Sequence, residues 1–340
     1  MTLFNFIQSA KMSLIVIKPG IQDTIQDTGR YGYQYLGVNP GGAMDRYSTQ
    51  VVNMLVGNKT NEAVIEMHFP AAAFLFQEEA IIAIGGADFV PSINGDEVPL
   101  WHPIVISRNS ILQFQKIAAG AQCYLAVRGG YNIPQWLDSS STHIKAGIGG
   151  YNGRALQKDD TIPLKKQECC KKYLSEKEYS ILPWHADIKW NPYPANKFYV
   201  IPGHEWNWLD KDMKEDFFDE TFTISNSADR MGYRLNGNPL YTNNKSEIIS
   251  SAVCFGTIQL LPDGQLIILM ADHQTAGGYP RIAHIIGADL PKLSQMRPGD
   301  KIQFTMTARE RAEELFCRQK RHLQQLEYAC TFRLEEFLKS

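Results

Sequence analysis

Three stretches of this chain put charged side chains among glycines and other small residues, where backbone can approach a ligand closely. The first runs Gln26-Asp27-Thr28-Gly29-Arg30 and continues at Gly41-Gly42-Ala43-Met44-Asp45-Arg46. The second is Ser225 to Leu235, with Asp229, Arg230, Tyr233 and Arg234. The third is Met270 to Arg281, with Asp272, His273, Gln274, Thr275 and Tyr279. A guanidinium is a planar fork suited to carboxylate or phosphate, so Arg230 and Arg234 are read as an anion-binding pair. Asp272 follows the apolar run Leu266–Met270, which places a carboxylate at a strand end with Gln274 and Thr275 as hydrogen-bond partners. Asp272 or Asp229 is therefore the candidate general base. Taken one at a time, each has a plainer reading: an Asp beside an Arg as an ion pair, Asp27 with Arg30 as a brace for a glycine turn, Asp45 as a helix N-cap.

Other chemistries find little support. There is no GxxxxGK[ST] phosphate loop, and Gly147 to Asn152 fails the GxGxxG pattern at its last position. The six cysteines form no CxxC pair, and a bond between the vicinal Cys169 and Cys170 would be strained, so the thiols are read as reduced. The eight histidines show no HExxH spacing, and no metal site is expected. Lys+Arg 34 against Asp+Glu 36 leaves a net charge of −2, without the basic excess of a nucleic-acid binder. No apolar run reaches the ~20 residues of a membrane span. Residues 1–12 are too polar, at Gln8, Ser9 and Lys11, for a signal peptide. A cytoplasmic protein is expected.

The elements that must hold these clusters are mostly strands. Short β-rich pieces bounded by turns recur at Ala63–Phe69, Ala72–Phe76, Ala80–Gly85, Ile104–Ser107, Ile111–Gln115 and Gln122–Val127. They recur after the break at Phe198–Ile201, Thr221–Ile224, Thr257–Leu261, Leu266–Met270 and Lys301–Met306. Such spacing suggests barrels or sandwiches rather than βαβ units. One helix is expected over Asp45–Val56, with Val51, Val52, Leu55 and Val56 on one face and Gly57-Asn58 as its stop. The Lys-rich, Pro-rich stretch 166–196 reads as a linker. It separates a first domain (13–165) from a second (197–307), and 308–340 forms a helical tail. In that tail Leu315, Leu323, Leu326, Cys330, Leu334 and Phe337 make an amphipathic face. The face is read as packing on its own domain in preference to a partner's coiled coil.

Taken together and in order, the motifs are more specific. Pro19-Gly20, Gln26 to Gly32, Gly37-Val38, Gly42 to Asp45, Leu55 to Asn58 and Glu66 open the series; Ala126 to Gly130, Ser139 to Thr142 and Gly153 to Leu156 continue it. Asp229 to Leu235, Asp272 to Ala283, Ala288 to Pro291 and Arg297 to Asp300 close it. The series resembles the family of biotin-dependent carboxyltransferases and 5-oxoprolinase C components, also described as allophanate hydrolase subunit 2-like or as the antagonist of a histidine-kinase inhibitor (KipA-like). The resemblance implies a mainly β fold of cyclophilin-like β-barrel domains with a few helices. It implies an ATP-dependent complex that opens the lactam of 5-oxoproline to glutamate. The partners would be a kinase-inhibitor-like (KipI-like) B component and a TIM-barrel-like A component, and ATP would be used by the complex. Fused relatives suggest the alternative, a carboxyltransferase component of a urea-carboxylase-type enzyme; a non-catalytic antagonist of a kinase inhibitor is a third. On this resemblance Asp229 or Asp272 serves as base or proton relay. Arg30, Arg230, Tyr233, Arg234, Gln274, Thr275 and Tyr279 bind and orient the small amide or lactam. Ala10-Lys11-Met12 only partly echoes a biotin-carrier motif, so no covalent biotin is expected on this chain. Ser140 and His273 stand where the family usually carries arginine.

Overall fold

The computed structural model describes residues 12–165, 174, 178–188, 196–242, 244 and 248–339. Its first unit is two six-stranded sheets facing each other across one core. In one sheet Ser13–Lys18 lies between Thr161–Pro163 and Ala73–Phe76, followed by Ile111–Phe114, Pro91–Ile93 and Asp96–Glu97. In the other, Ala80–Asp88 lies between Pro103–Ile106 and Ala119–Val127, with Val64–Met67 and then Thr24–Gln26 beyond, and Tyr179–Ile181 at the far edge. Ala80–Asp88 shows why its sequence is apolar without alternation. Ile82 and Ile84 point into the core between the sheets, while Ile81 and Ala83 point to the outer face, which helices cover.

The first of those helices, α1 (Arg46–Leu55), buries Val51, Val52 and Leu55 on that outer face. Asp45 caps it, its carboxylate accepting from the Ser48 N–H at 2.9 Å. The helix stops at Gly57, whose φ of 70° is costly for other residues.

The second unit is a closed seven-stranded barrel. Its strands, in order around the barrel, are Lys197–Pro202, Arg281–Ile285, Thr257–Leu260, Leu266–Leu269, Gly232–Asn236, Phe222–Ile224 and Lys301–Met306. Closure comes from Lys301–Met306, which runs parallel to the opening strand with Phe198 opposite Phe304. A short helix, α2 (Lys211–Asp219), drives Phe217 into the barrel core, where its ring stacks on Phe304 at 4.8 Å. The mainly β fold expected from the sequence is thus present. Closure by a hydrogen-bonded ring of strands belongs to the second unit, and the first is a pair of sheets. No helix among the described residues is long and apolar enough to cross a membrane.

Two long-range elements tie the units together. A short helix, α3 (Leu290–Ser294), hydrogen-bonds through the Ser294 hydroxyl to the Met44 carbonyl at 2.6 Å. The C-terminal helix α4 (Arg309–Lys339) spans both units. Leu315 packs with Ile286 and Ala288, while Leu323 and Cys330 join the cluster under α1. The tail therefore packs on its own chain, as its apolar face suggested. Within the stretch read as a linker, Tyr179–Ile181 pairs with Pro103–Ile106, and Leu182 and Ala186 are buried, so these residues extend the first unit instead of spanning a gap. Cys169 and Cys170 lie outside the described residues.

The packing of α4 gives a contrast to measure. Leu323→Ala removes a buried side chain and should cost about 2–4 kcal/mol in chemical denaturation. Glu313→Ala removes only the solvent-exposed pair with Arg309 and should change stability by less than about 0.5 kcal/mol. Equal effects would mean that the helix is not docked as described.

Candidate functional site

The polar clusters converge where the units meet, around one arginine. Arg230 sits just before the strand Gly232–Asn236, and Asp272 just after Leu266–Leu269; pairing of these two strands brings the segments side by side. The Asp272 N–H donates to the Arg230 carbonyl at 2.8 Å, which sets the two side chains in register. The Arg230 guanidinium grips Asp272 in bidentate fashion, Nε to Oδ2 at 2.8 Å and Nη2 to Oδ1 at 3.0 Å. Its Nη1 donates to Glu66 of the first unit, and its Nη2 also reaches the Gly42 carbonyl at 2.6 Å. Burial pulls the Arg230 pKa down, but Asp272 and Glu66 outweigh it and leave the pKa raised, so the side chain remains a cation. Glu66 is completed by the Met44 N–H at 2.7 Å and the Tyr124 hydroxyl at 2.9 Å. Tyr124 in turn accepts from the Asp45 N–H at 2.8 Å.

A second buried arrangement stands next to it. Asp27 accepts from Ser139 Oγ at 2.8 Å, Ser141 Oγ at 2.6 Å and the Gly29 N–H at 2.8 Å through Oδ1, and from the Ser140 N–H at 2.6 Å through Oδ2. These bonds fix the serine-rich loop that Arg30 meets from behind. Arg30 is 1% exposed, donates from Nη2 to the Ser141 carbonyl, and stacks on Trp136 with Cζ 5.0 Å from the ring centre. Its Nε and Nη1 have no hydrogen-bond partner. Burial lowers the Arg30 pKa, opposed by the charges of Asp27 and Asp272. A Cβ on Gly41 would stand 3.1 Å from Arg30 Nη1 and 3.7 Å from Asp272 Oδ1, so the two groups flank one spot, where a φ of 58° favours glycine.

In front of these groups lies a cleft of about 320 Å³ between the units, lined by Trp136, His143 and Lys145 on one side and Met231, Asp272 and Gln274 on the other. His143 accepts the Ala146 N–H on Nδ1 at 3.0 Å, so the neutral ring carries its proton on Nε2. Burial lowers its pKa; the charge of Asp272 works against this, and those of Arg30, Arg230 and Lys145 reinforce it. The cleft thus combines a fixed carboxylate, a neutral imidazole, an amide and cations, a set able to bind an anion and move a proton. Among the described residues, no group of three His, Cys, Asp or Glu is placed to hold a metal.

The sequence-predicted residues divide. Asp272 and Gln274 line the cleft, and Arg30 and Arg230 stand behind it. Arg230 and Arg234 do not form a fork. Four residues apart would converge on a helix, but Gly232–Asn236 is a strand, so Tyr233 and Leu235 face inward and Arg234 is exposed. Asp229 accepts the Met231 and Gly232 N–H groups at 2.7 and 3.1 Å, a turn brace, and lines a separate cleft of about 310 Å³ together with Tyr233 and His68. Tyr279 is 44% exposed, and its carbonyl accepts from Gln259 of the barrel; the Thr275 carbonyl accepts from the Val253 N–H, and neither residue lines Asp272's cleft. Of the positions that depart from the family pattern, Ser140 is buried with its N–H on Asp27, and His273 is buried with Nδ1 2.5 Å from the Gln274 carbonyl. Sequence reasoning gave no role to Glu66, Trp136, His143 or Lys145. Glu66 carries a signal in retrospect, a carboxylate inside the apolar run Ala63–Met67; the loop residues carry none.

A family profile described as "Carboxyltransferase domain, subdomain A and B" matches residues 36–306. The chain is 33% identical to the C subunit of 5-oxoprolinase from Haemophilus influenzae, covering 89% of this chain and 94% of the relative. It is 32% identical to the C subunit of the Escherichia coli 5-oxoprolinase, covering 92% and 97%. The urea amidolyase of Saccharomyces cerevisiae is 29% identical over 92% of this chain but only 18% of its own length. Among solved structures, the Kluyveromyces lactis urea carboxylase superposes with a TM-score of 0.85 at 27% identity, over 95% of this chain and 30% of that one. With its two units joined through Arg230, matching that profile over most of its length and the two C subunits nearly end to end, the chain belongs to the carboxyltransferase-domain family that includes the 5-oxoprolinase C subunits.

Proposed function

We propose that the chain is the C subunit of an ATP-dependent 5-oxoprolinase that opens the lactam of 5-oxoproline to glutamate, active in a cytoplasmic complex. Its partners in this reading are a kinase-inhibitor-like B component and a TIM-barrel-like A component. The observation that carries the proposal is the two-way coverage: the chain spans 94% and 97% of two 5-oxoprolinase C subunits, against 17–25% of the urea enzymes.

The cleft suits such a substrate. 5-Oxoproline offers one carboxylate and one lactam carbonyl. Arg30, behind the cleft with Nε and Nη1 unpartnered, and Lys145 in its lining supply positive charge for the carboxylate. Asp272, kept in place by two Arg230 hydrogen bonds, and His143, kept neutral by burial, are the proton-transfer pair, and Gln274 orients the amide. ATP hydrolysis supplies the driving force for opening an unactivated lactam. This chain has no phosphate loop, and none of its residues is assigned to the nucleotide or to covalent biotin. Asp229 is assigned to the turn, and Arg234, Thr275 and Tyr279 to the surface of the barrel rather than the cleft. A second reading, carboxyl transfer, is favoured by the urea carboxylase superposition and the description of the family. The domain boundaries we propose are 13–188 and 197–307, with α4 strapped across both.

Co-purification with the two partner components followed by 5-oxoproline-dependent ADP release tests the proposal. A well-assembled complex with no such activity would overturn it. Asp272→Asn should lower turnover by about 100-fold or more. Turnover should fall on acidification through a pH below the ordinary imidazole value of 6.5, because a lowered pKa keeps His143 neutral until then. His143→Gln should remove that limb. Arg230→Met leaves the buried Glu66 and the largely buried Asp272 without their cation and should destabilise the isolated chain by about 3–5 kcal/mol in urea denaturation.

A further inference from the structure

A cavity of about 470 Å³ lies away from the cleft, where α1, α3 and α4 meet the glycine-rich loop of the first unit. Its size is that of a site for a small organic molecule. Part of its wall, at Phe316, Lys320 and Leu323, is on α4, beyond the residues matched by the family profile.

Two cations line this cavity, Arg46 and Lys320, and no Asp or Glu does. Among the described residues neither cation makes an ion pair, whereas Arg154, Arg230 and Arg281 each hold a carboxylate. Arg46 is sandwiched instead, with Cζ 5.5 Å from the ring centres of both Tyr31 and Phe255. One of its donors reaches the Gly41 carbonyl at 3.0 Å, while Nε is buried without a partner. An unmade hydrogen bond on a buried guanidinium nitrogen is costly, and an incoming acceptor would remove that cost. The Lys320 ammonium lies 5.3 Å from the centre of the Phe316 ring and is otherwise open to solvent. Two cations in one cavity with aromatic and aliphatic walls select for an anion with a flat apolar body.

We propose that this cavity is a second binding site, for a small aromatic or similarly flat carboxylate. The carboxylate pairs with Arg46 and Lys320, and its ring lies against Phe255 and Phe316. The site is separate from the cleft but touches it through one peptide: the Gly41 carbonyl accepts from Arg46, and the Gly41 Cα faces Arg30 and Asp272.

Benzoate and its neutral isostere benzamide, titrated calorimetrically into the full chain, test the site without any partner or activity. Benzoate should give saturable heat, and benzamide should bind at least about tenfold more weakly. Raising salt should weaken benzoate. Arg46→Gln and Lys320→Gln should each weaken benzoate by about tenfold. Lys320→Gln, on an exposed side chain, carries the test if Arg46→Gln does not fold. Absence of saturable binding by the wild-type chain at millimolar benzoate, equal binding of benzamide, or unchanged affinity in the folded variants would overturn the proposal.

Discussion

Glu66 is buried at the junction, and Asp272 largely so, because the Arg230 guanidinium lies between them. Removing two carboxylates and a guanidinium from water is expensive, and the attraction between them offsets that expense only when geometry is good and the remaining hydrogen bonds are made. Here the bonds are made: Asp272 is held twice, and Glu66 also takes a backbone N–H and a tyrosine hydroxyl. Glu66 belongs to the first unit and Asp272 to the second, so the condition for burying the charges is also the condition for joining the units. The orientation of Asp272 toward the cleft is a by-product of that join. The candidate catalytic carboxylate cannot be loosened without loosening the molecule.

How far the sequence revealed this depends on the range of the interactions. α1 was legible because its determinants are local: an apolar face, a stop at Gly57, and a cap at Asp45. Asp45 also accepts from the Gln295 side chain at 2.8 Å, which no local pattern encodes. The strands were legible as apolar runs between turns, but their partners were not, and so the Arg230–Arg234 spacing was misjudged. Two arginines four apart converge on a helix and separate on a strand. Asp27 was rightly suspected of bracing a glycine turn, yet its three serine partners lie more than a hundred residues away. His143 and Lys145 matter only because a second unit comes to face them, and no feature of their own segment announces that.

The two readings of function share this architecture. Opening a lactam and moving a carboxyl group both require a planar carbonyl held beside cations, with a proton acceptor at hand. A cleft with a fixed carboxylate and a neutral imidazole is compatible with either. On either reading the distinction would rest on what is delivered to the cleft, and relatives named as 5-oxoprolinase components and as urea enzymes do share this chain's sequence pattern.

The closed barrel has one further consequence, for assembly. A ring of seven paired strands offers no free edge, so another chain cannot lengthen it by adding a strand. The first unit has four edge strands, and two of them are guarded. Thr24–Gln26 is wholly buried, and Asp96–Glu97 is only two residues long and carries two carboxylates. The other two, Thr161–Pro163 and Tyr179–Ile181, are partly exposed but only three residues long, so the edge backbone they offer is short. A partner that meets the barrel must recognise it side chain to side chain, and selectivity in such a contact is written in surface residues that can change without disturbing the fold.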